Sequence, residues 1–314
     1  MVNPAPIILF VYNRPQHLLN TIEALKNNEL AGQSELFVYS DGPKNDNDER
    51  WVHEVRQIIF AIRGFKQVHI VEHKKNQGLA NSIIAGVSDI IKRHHKAIVL
   101  EDDIVCTKFF LSYMNNALNY YETKKHVFSV SGFNYPDEMI KIPETYPYDV
   151  FLSYRSVSWG WGTWENRWSR VDWKVTDFNG FLKNKDSQKR FNRGGEDLSH
   201  MLRSQMEGKL DSWDIIWCYA HFKNSAFCIQ PIKSLVSNIG LDGSGTHCRP
   251  SRKTVLPEDL DQSWNPTCFV DMKSVNLKIA ENYRKIHSIT FLDKVLLPLR
   301  YRFVDLSRYF LRLF

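Results

Sequence analysis

The 314-residue sequence is short of every feature that would take it out of the ordinary globular class. It has no run of about 18 consecutive apolar residues, which excludes a hydrophobic membrane-spanning helix. Its start, MVNPAPIILFVYNRP, has no basic residue ahead of the brief apolar run Ile7 to Val11, so a secretory signal is not expected. Cysteine is scarce: Cys106, Cys218, Cys228, Cys248 and Cys268 are odd in number and form no C-x-x-C pair. That argues against a disulfide scaffold or zinc module and is expected of a reducing compartment. Charge of one sign is scarce as well, with 41 basic against 35 acidic residues and a net charge of +6. So small and diffuse an excess excludes a nucleic-acid partner as the leading reading, and suits an anionic ligand or an anionic membrane surface. Internal repeats, low-complexity tracts and a clean linker are all absent.

What remains is a chain with 43% hydrophobic and 24% charged residues, long enough to bury a full core. At roughly 150 residues per domain it makes one large domain or two small ones. The first hundred residues alternate between two periodicities. Apolar runs at Ile7 to Tyr12, Leu36 to Tyr39, Val68 to Glu72 and Ala97 to Leu100 predict buried strands. Between them, residues 16–27, 51–64 and 78–92 place apolar side chains at helical spacing. Such a β-α series predicts an α/β fold whose mainly parallel sheet is flanked by helices. Ligands of such sheets sit beyond the carboxyl ends of the strands. Asn13-Arg14, Ser40-Asp41, Asn76-Gln77-Gly78 and Glu101-Asp102-Asp103 should therefore meet at one rim. The second half is less regular. Phe109 to Tyr121 predicts a helix, Val127 to Phe133 a strand and 177–209 polar helices, with a Gly-rich loop from Ser234 to Cys248.

Three of these segments carry chemistry. Glu101-Asp102-Asp103 follows a buried strand directly, and three adjacent carboxylates repel one another unless a cation sits among them. Oxygen ligands of this kind suit Mg²⁺ or Mn²⁺ shared with substrate phosphates; the competing reading is a solvated acidic turn. Ser158-Trp159-Gly160-Trp161-Gly162-Thr163-Trp164 offers flat indole faces for sugar rings, or aromatic packing for a core. Asp211-Ser212-Trp213-Asp214 offers a general base, or a helix N-cap at either Asp.

The segment VLEDDIVCTKFFLSYM resembles the acidic metal motif of GT-A glycosyltransferases, which use nucleotide-diphosphate sugars. Its Glu-Asp-Asp form is similar to that of the N-acetylglucosaminyltransferase I family. The resemblance spans roughly residues 5 to 250 and includes the Asn-Gln-Gly-Leu-Ala segment at Asn76, which resembles family 2-type bacterial glycosyltransferases. It implies a GT-A (Rossmann-like) fold and an inverting, metal-dependent transfer. It implies Asp103 as the ligand of Mn²⁺ or Mg²⁺, with Glu101 and Asp102 on the donor sugar or ribose. Arg14 would lie near the donor phosphates, Asp41 at the uracil edge, and Asn76 and Gly78 near base and ribose. Trp159, Trp161 and Trp213 would face the acceptor or sugar. Asp214 would be the catalytic base, with Asp211 as runner-up. His247, closing the loop Asn238 to His247, would be either a second metal ligand or a contact to diphosphate or acceptor. Unlike the Golgi members, the sequence carries no anchor or stem, which points to a bacterial relative facing the cytoplasm. The expected partners are a nucleotide-sugar donor, chiefly a UDP-sugar, and a saccharide or lipid-linked acceptor in surface polysaccharide synthesis, such as lipopolysaccharide. Nucleic acid is not among them.

The expected division is a transferase domain over 1–285, with a nucleotide-binding half (1–105) and an acceptor-binding half (106–285), and a basic tail over 286–314. Within the tail, Leu292, Leu296, Leu299, Phe303, Leu306, Phe310 and Leu313 form one helical stripe, and basic residues outnumber Asp293 and Asp305. Such an amphipathic helix predicts peripheral contact with the inner face of the cytoplasmic membrane, or docking on the core or on a second subunit. Two other classes compete with the transferase: a sugar-phosphate nucleotidyltransferase, and a non-catalytic sugar-binding or membrane-associated protein of the same fold. The first should carry a Gly-rich basic loop after its first strand, where this chain has Asn13-Arg14-Pro15-Gln16.

Overall fold

A computed structural model describes residues 4–242, 256–271 and 273–288. Its elements in chain order are β1 (Ile7–Val11), α1 (Pro15–Lys26), β2 (Glu35–Ser40), α2 (Asp46–Phe60), β3 (Gln67–Glu72), α3 (Leu79–His94), β4 (Lys96–Glu101), β5 (Ile104–Cys106) and α4 (Phe110–Tyr121). There follow β6 (Val127–Ser131), β7 (Val150–Ser153), β8 (Trp161–Trp164), α5 (Glu165–Trp168), α6 (Phe178–Lys183), α7 (Lys185–Phe191) and α8 (Leu198–Met206). The last are α9 (Trp213–Lys223), β9 (Phe227–Pro231), β10 (Val236–Asn238) and α10 (Leu277–Ile286).

Eight strands form one sheet in the order β3-β2-β1-β4-β8-β6-β9-β7. The first four are mutually parallel, as expected of strands joined by helices. β8 inserts antiparallel between β4 and β6, β9 pairs parallel with β6, and β7 closes the edge antiparallel. The sheet is thus mixed but mostly parallel, and it joins the two halves of the chain through a common core. β5 and β10 form a separate antiparallel pair.

The local reasons are visible in the burial. β1 is IILFV and β4 holds AIVL at its centre, all buried, because helices cover both faces of the sheet. α3 buries Ile83, Val87, Ile90 and Ile91 on one stripe and ends in Lys92, Arg93 and His94, which complement its C-terminal dipole. α2 begins at Asp46, five residues before the apolar periodicity, because Asn45 caps it by accepting from Asn47 N and acidic residues fill its first turn. The strand expected over 127–133 stops at Ser131, where the chain turns to let Gly132 N donate to Gly160 O at 2.7 Å.

Winding from β1 outward to β2 and β3, then back across to β4, makes β1/β4 the point where the sheet order reverses. The chain leaves both strands at the same rim, carrying Arg14 from one and Glu101-Asp102-Asp103 from the other. No helix among the described residues is long and apolar enough to cross a membrane. The amphipathic stripe from Leu292 onward lies outside the described residues.

Candidate active site

Arg14, one residue before α1, brackets the acidic triplet. Its guanidinium ion-pairs with Asp102 and, at 2.9 Å, with Asp103. Asp102 is buried and also accepts from Tyr12 N at 3.2 Å, while its own carbonyl accepts from Thr21 Oγ1 at 2.9 Å. The turn after β4 is therefore bolted to both ends of the β1-α1 connection. Tyr12 and Asn13 are fixed in turn by Asp48: Tyr12 Oη donates to one carboxylate oxygen at 2.9 Å and Asn13 Nδ2 to the other at 2.8 Å.

Three carboxylates against one guanidinium leave an excess of negative charge. Burial, then repulsion from Asp103 and Asp102, raises the Glu101 carboxyl to about 8. Burial likewise raises Asp102 to about 6, against the opposing pull of Arg14. Asp214 is among the charges that raise Glu101, which puts the first turn of α9 within electrostatic reach of the triplet. Asp214 is partly buried and accepts from Ser212 Oγ. Asp211 is exposed, and Ser212 rather than either Asp holds the N-cap position. Of the two expected carboxylates, Asp214 is the partly buried one and Asp211 the exposed one.

A lid of backbone covers Asp103. β10 pairs with β5, Ile239 N donates to Asp103 O at 2.9 Å, and a 3₁₀ turn over Ile239–Asp242 follows. A Cβ on Gly240 would lie 2.2 Å from Asp103 Oδ2 and 2.8 Å from Arg14 Nη1, so only glycine allows this approach. Gly240 was absent from the expected site residues; the Gly-rich run from Asn238 was the signal, but the close approach is visible only in three dimensions. The same turn brings Asp242 Oδ2 to 3.2 Å from His17 Nε2. His247 lies outside the described residues.

Asp41 is a clamp. One carboxylate oxygen accepts from Gly42 N at 2.9 Å and Gln77 N at 2.8 Å, and the other from Gly78 N at 3.0 Å. Asn76 Nδ2 returns a bond to Gly42 O at 2.9 Å. A Cβ at Gly42 would meet the Lys75 backbone at 2.6 Å, so the two loops touch main chain to main chain. Asp41, Asn76 and Gly78 therefore do come together. In this arrangement they hold the β2 loop to the start of α3.

The indoles divide. Trp161 and Trp213 are 1% and 5% exposed, tilted against each other 5.5 Å apart, with Trp168 and Trp217 against Trp161 at 5.6 and 5.8 Å. The expectation that these two offer faces to a sugar is corrected: they build the core between the sheet and α9. Both faces of β8 are covered, so alternation sends Trp161 to one buried cluster and Trp164 to the other, and the first turn of α9 brings Trp213 to the cluster of Trp161. Trp159 is only partly buried, packed edge-on against Phe133 at 4.5 Å.

Among the described residues no three His, Cys, Asp or Glu side chains are grouped to hold a metal alone. The donor set nonetheless matches a hard divalent cation held by one or two carboxylates and completed by substrate phosphate oxygens. The carboxylates are crowded and incompletely neutralised, and the Gly240 backbone lies directly against Asp103.

Residues 7–186 match the family described as Glycosyl transferase family 2. No curated protein sequence matches the chain. Among solved structures, Staphylococcus aureus TarS is similar at 13% identity and a TM-score of 0.41, over 74% of this chain and 36% of TarS. The chain thus spans about a third of that protein's length. A mannosyltransferase from Pyrobaculum calidifontis, solved with GDP-Man and Mn²⁺, is similar at 12% identity and 0.40, over 71% and 70% of the two chains. A UDP-glucose pyrophosphorylase with UDP-glucose is similar at 12% identity and 0.39, over 75% and 94%.

Proposed function

Since the chain belongs to glycosyl transferase family 2 and is a glycosyltransferase, we propose that it moves a sugar, with inversion, from a UDP-sugar to a saccharide or lipid-linked acceptor in bacterial surface polysaccharide synthesis. The observation that carries this reading is the meeting of Arg14, Glu101, Asp102 and Asp103 at the β1/β4 reversal, with Asp214 within electrostatic reach.

Residues 1–105 supply the donor half and 106–285 the acceptor half, with 286–314 as a tail that rests on the inner membrane face. Asn76 and Gly78 border the base and ribose, and Asp41 reads the uracil edge through the lone pairs its three amide bonds leave over. Glu101 hydrogen-bonds a hydroxyl of ribose or sugar; Asp102 holds Arg14 in place. Arg14 turns its remaining N–H groups to the diphosphate. Asp103 would hold Mn²⁺ or Mg²⁺, with His247 as the second candidate ligand; a bound cation supplies Lewis-acid stabilisation of the leaving diphosphate. Asp214 takes the proton of the acceptor hydroxyl as its oxygen bonds to the anomeric carbon and the bond to diphosphate breaks. Trp159 lines the approach of the acceptor. Attack from the face opposite the leaving group inverts the anomeric centre.

Turnover of UDP-sugars with glycan acceptors tests this directly. Asp214→Asn should lower kcat by about 10²–10⁴-fold with KM for donor little changed, and Asp103→Ala should remove dependence on added Mn²⁺ along with activity. Full kcat in Asp214→Asn would sink the base assignment, and full activity of Asp103→Ala in EDTA would sink the metal role.

A further inference from the structure

A second cleft, of about 690 Å³, opens far from the acidic triplet and has no part in the chemistry above. It is bordered by Tyr154, Arg190, Arg193, Phe222, Lys223 and Phe227. Topology sets its distance from the donor rim. β9 runs parallel to β6, and through the antiparallel β8 parallel to β4. Phe227, which starts β9, therefore lies at the sheet end opposite Glu101, which finishes β4. α9 repeats the separation. Asp214 sits in its first turn and Lys223 closes it, about 13.5 Å further along at 1.5 Å per residue.

The lining combines two kinds of group. Tyr154, Phe222 and Phe227 are partly exposed rings, with Tyr154 and Phe227 5.5 Å apart. On them stand cations: the Arg193 guanidinium lies 4.3 Å over the Tyr154 ring and that of Arg190 5.9 Å over Phe222. The closer contact holds the Arg193 guanidinium against its ring while leaving its edge for hydrogen bonding, and Arg190 stands at the outer limit of such a contact. Those edges are underused. Arg190 Nη2 donates to Ser187 Oγ at 3.3 Å and Arg193 Nε to Arg190 O at 3.3 Å. Among the described residues neither has a carboxylate within ion-pair distance. Lys223 and Lys273 add two further cations. The one carboxylate of the lining, Asp177, is already engaged by Lys223 and by Tyr219 Oη at 3.0 Å.

Flat apolar faces beside guanidiniums that no carboxylate matches are complementary to a pyranose ring that carries a negative group. We propose that this cleft binds an anionic saccharide, a sugar bearing a carboxylate or a phosphate, at a site separate from the transfer site. The size suits one or two such units. The inference stands on the cleft's own residues and does not depend on the donor or mechanism assigned above.

Calorimetry on the full chain would use methyl β-glucuronide and glucose 6-phosphate as probes, with methyl β-glucoside and inorganic phosphate as controls. The site predicts binding of at least one charged sugar about tenfold or more tighter than of either control, since a fork-like guanidinium contact contributes at least that factor. Arg193→Gln alone should weaken the charged sugar about tenfold, and the R190Q/R193Q pair more. Both arginines are exposed, so the melting temperature should stay at the wild-type value. Which probe wins identifies the anionic group. The proposal is overturned if neither charged sugar binds, if inorganic phosphate binds as tightly, or if the folded arginine variants bind as the wild type does.

Discussion

Replacing Gly240 by alanine adds one methyl group where the structure has no room for it. The new Cβ would stand 2.2 Å from Asp103 Oδ2 and 2.8 Å from Arg14 Nη1. Restoring ordinary contact requires the carboxylate or the turn to give by about 1 Å, and a displacement of that size in a reacting constellation costs on the order of 10²-fold in rate. That corresponds to about 2.7 kcal/mol of lost transition-state stabilisation. The Gly240 N bond to Asn238 Oδ1 at 2.8 Å survives the substitution, so the turn itself keeps its anchor. Overpacking then costs about 1–3 kcal/mol of stability, too little to unfold the domain at assay temperature. Gly32→Ala is the control, because nothing lies within 4 Å of its added Cβ. Steady-state kcat/KM for nucleotide-sugar turnover, measured beside a circular-dichroism melt, should show the hundredfold loss in G240A and none in G32A. Wild-type kcat/KM in a folded G240A would refute the claim that the 3₁₀ turn positions Asp103 for the reaction.

Other outcomes follow from the same geometry. Asp41→Ala strands the amides of Gly42, Gln77 and Gly78 and should cost about 2–4 kcal/mol by urea denaturation. Asp41→Asn should recover only part of this, because its Nδ2 would face one of those donors. Trp161→Ala should cost about 3–5 kcal/mol through the cavity left in the core, whereas Trp159→Ala should cost clearly less, read from the two melting curves. His221 is buried, donates from Nδ1 to Trp217 O at 2.8 Å, accepts at Nε2 from Ser129 Oγ at 2.7 Å, and is pushed by burial down to about 4. The unfolded chain therefore binds the extra proton first as pH falls. Its contribution to stability is complete above about 6.5 and is lost between there and 4, a decrease of about 3 kcal/mol. His221→Gln should flatten that part of a stability-against-pH curve; an unchanged slope would contradict the assignment.

The first half of the chain was readable because its physics is local. Buried parallel strands must be apolar on both faces, so IILFV and AIVL announce themselves, and the polar residues just beyond them fall at one rim. Arg14, Asp102 and Asp103 were found in this way, and Asp214 joined them through its Trp-Asp context. The second half was opaque because its pairings are distant and short. Nothing in Trp161-Gly162-Thr163-Trp164 says that it inserts between β4 and β6. An indole also serves a core or a sugar equally well on paper, and only burial separates Trp161 from Trp159. Asp41-Gly42-Pro43 reads as a turn, yet the amides that Asp41 holds lie 36 and 37 residues away. The distal cleft draws its lining from residues 154 to 274, with no motif to connect them.

The account turns on a nucleotide diphosphate bound beside Asp103 with a divalent cation. The measurement that meets it most directly is the melting temperature with UDP, GDP, CMP and dTDP, each in Mn²⁺ and in EDTA, for wild type and Asp103→Ala. A ligand held only by the folded state raises the melting temperature. The account predicts a rise with UDP and Mn²⁺, abolished by EDTA and absent in Asp103→Ala. No rise with any nucleotide, or the same rise in EDTA and in Asp103→Ala, would contradict it.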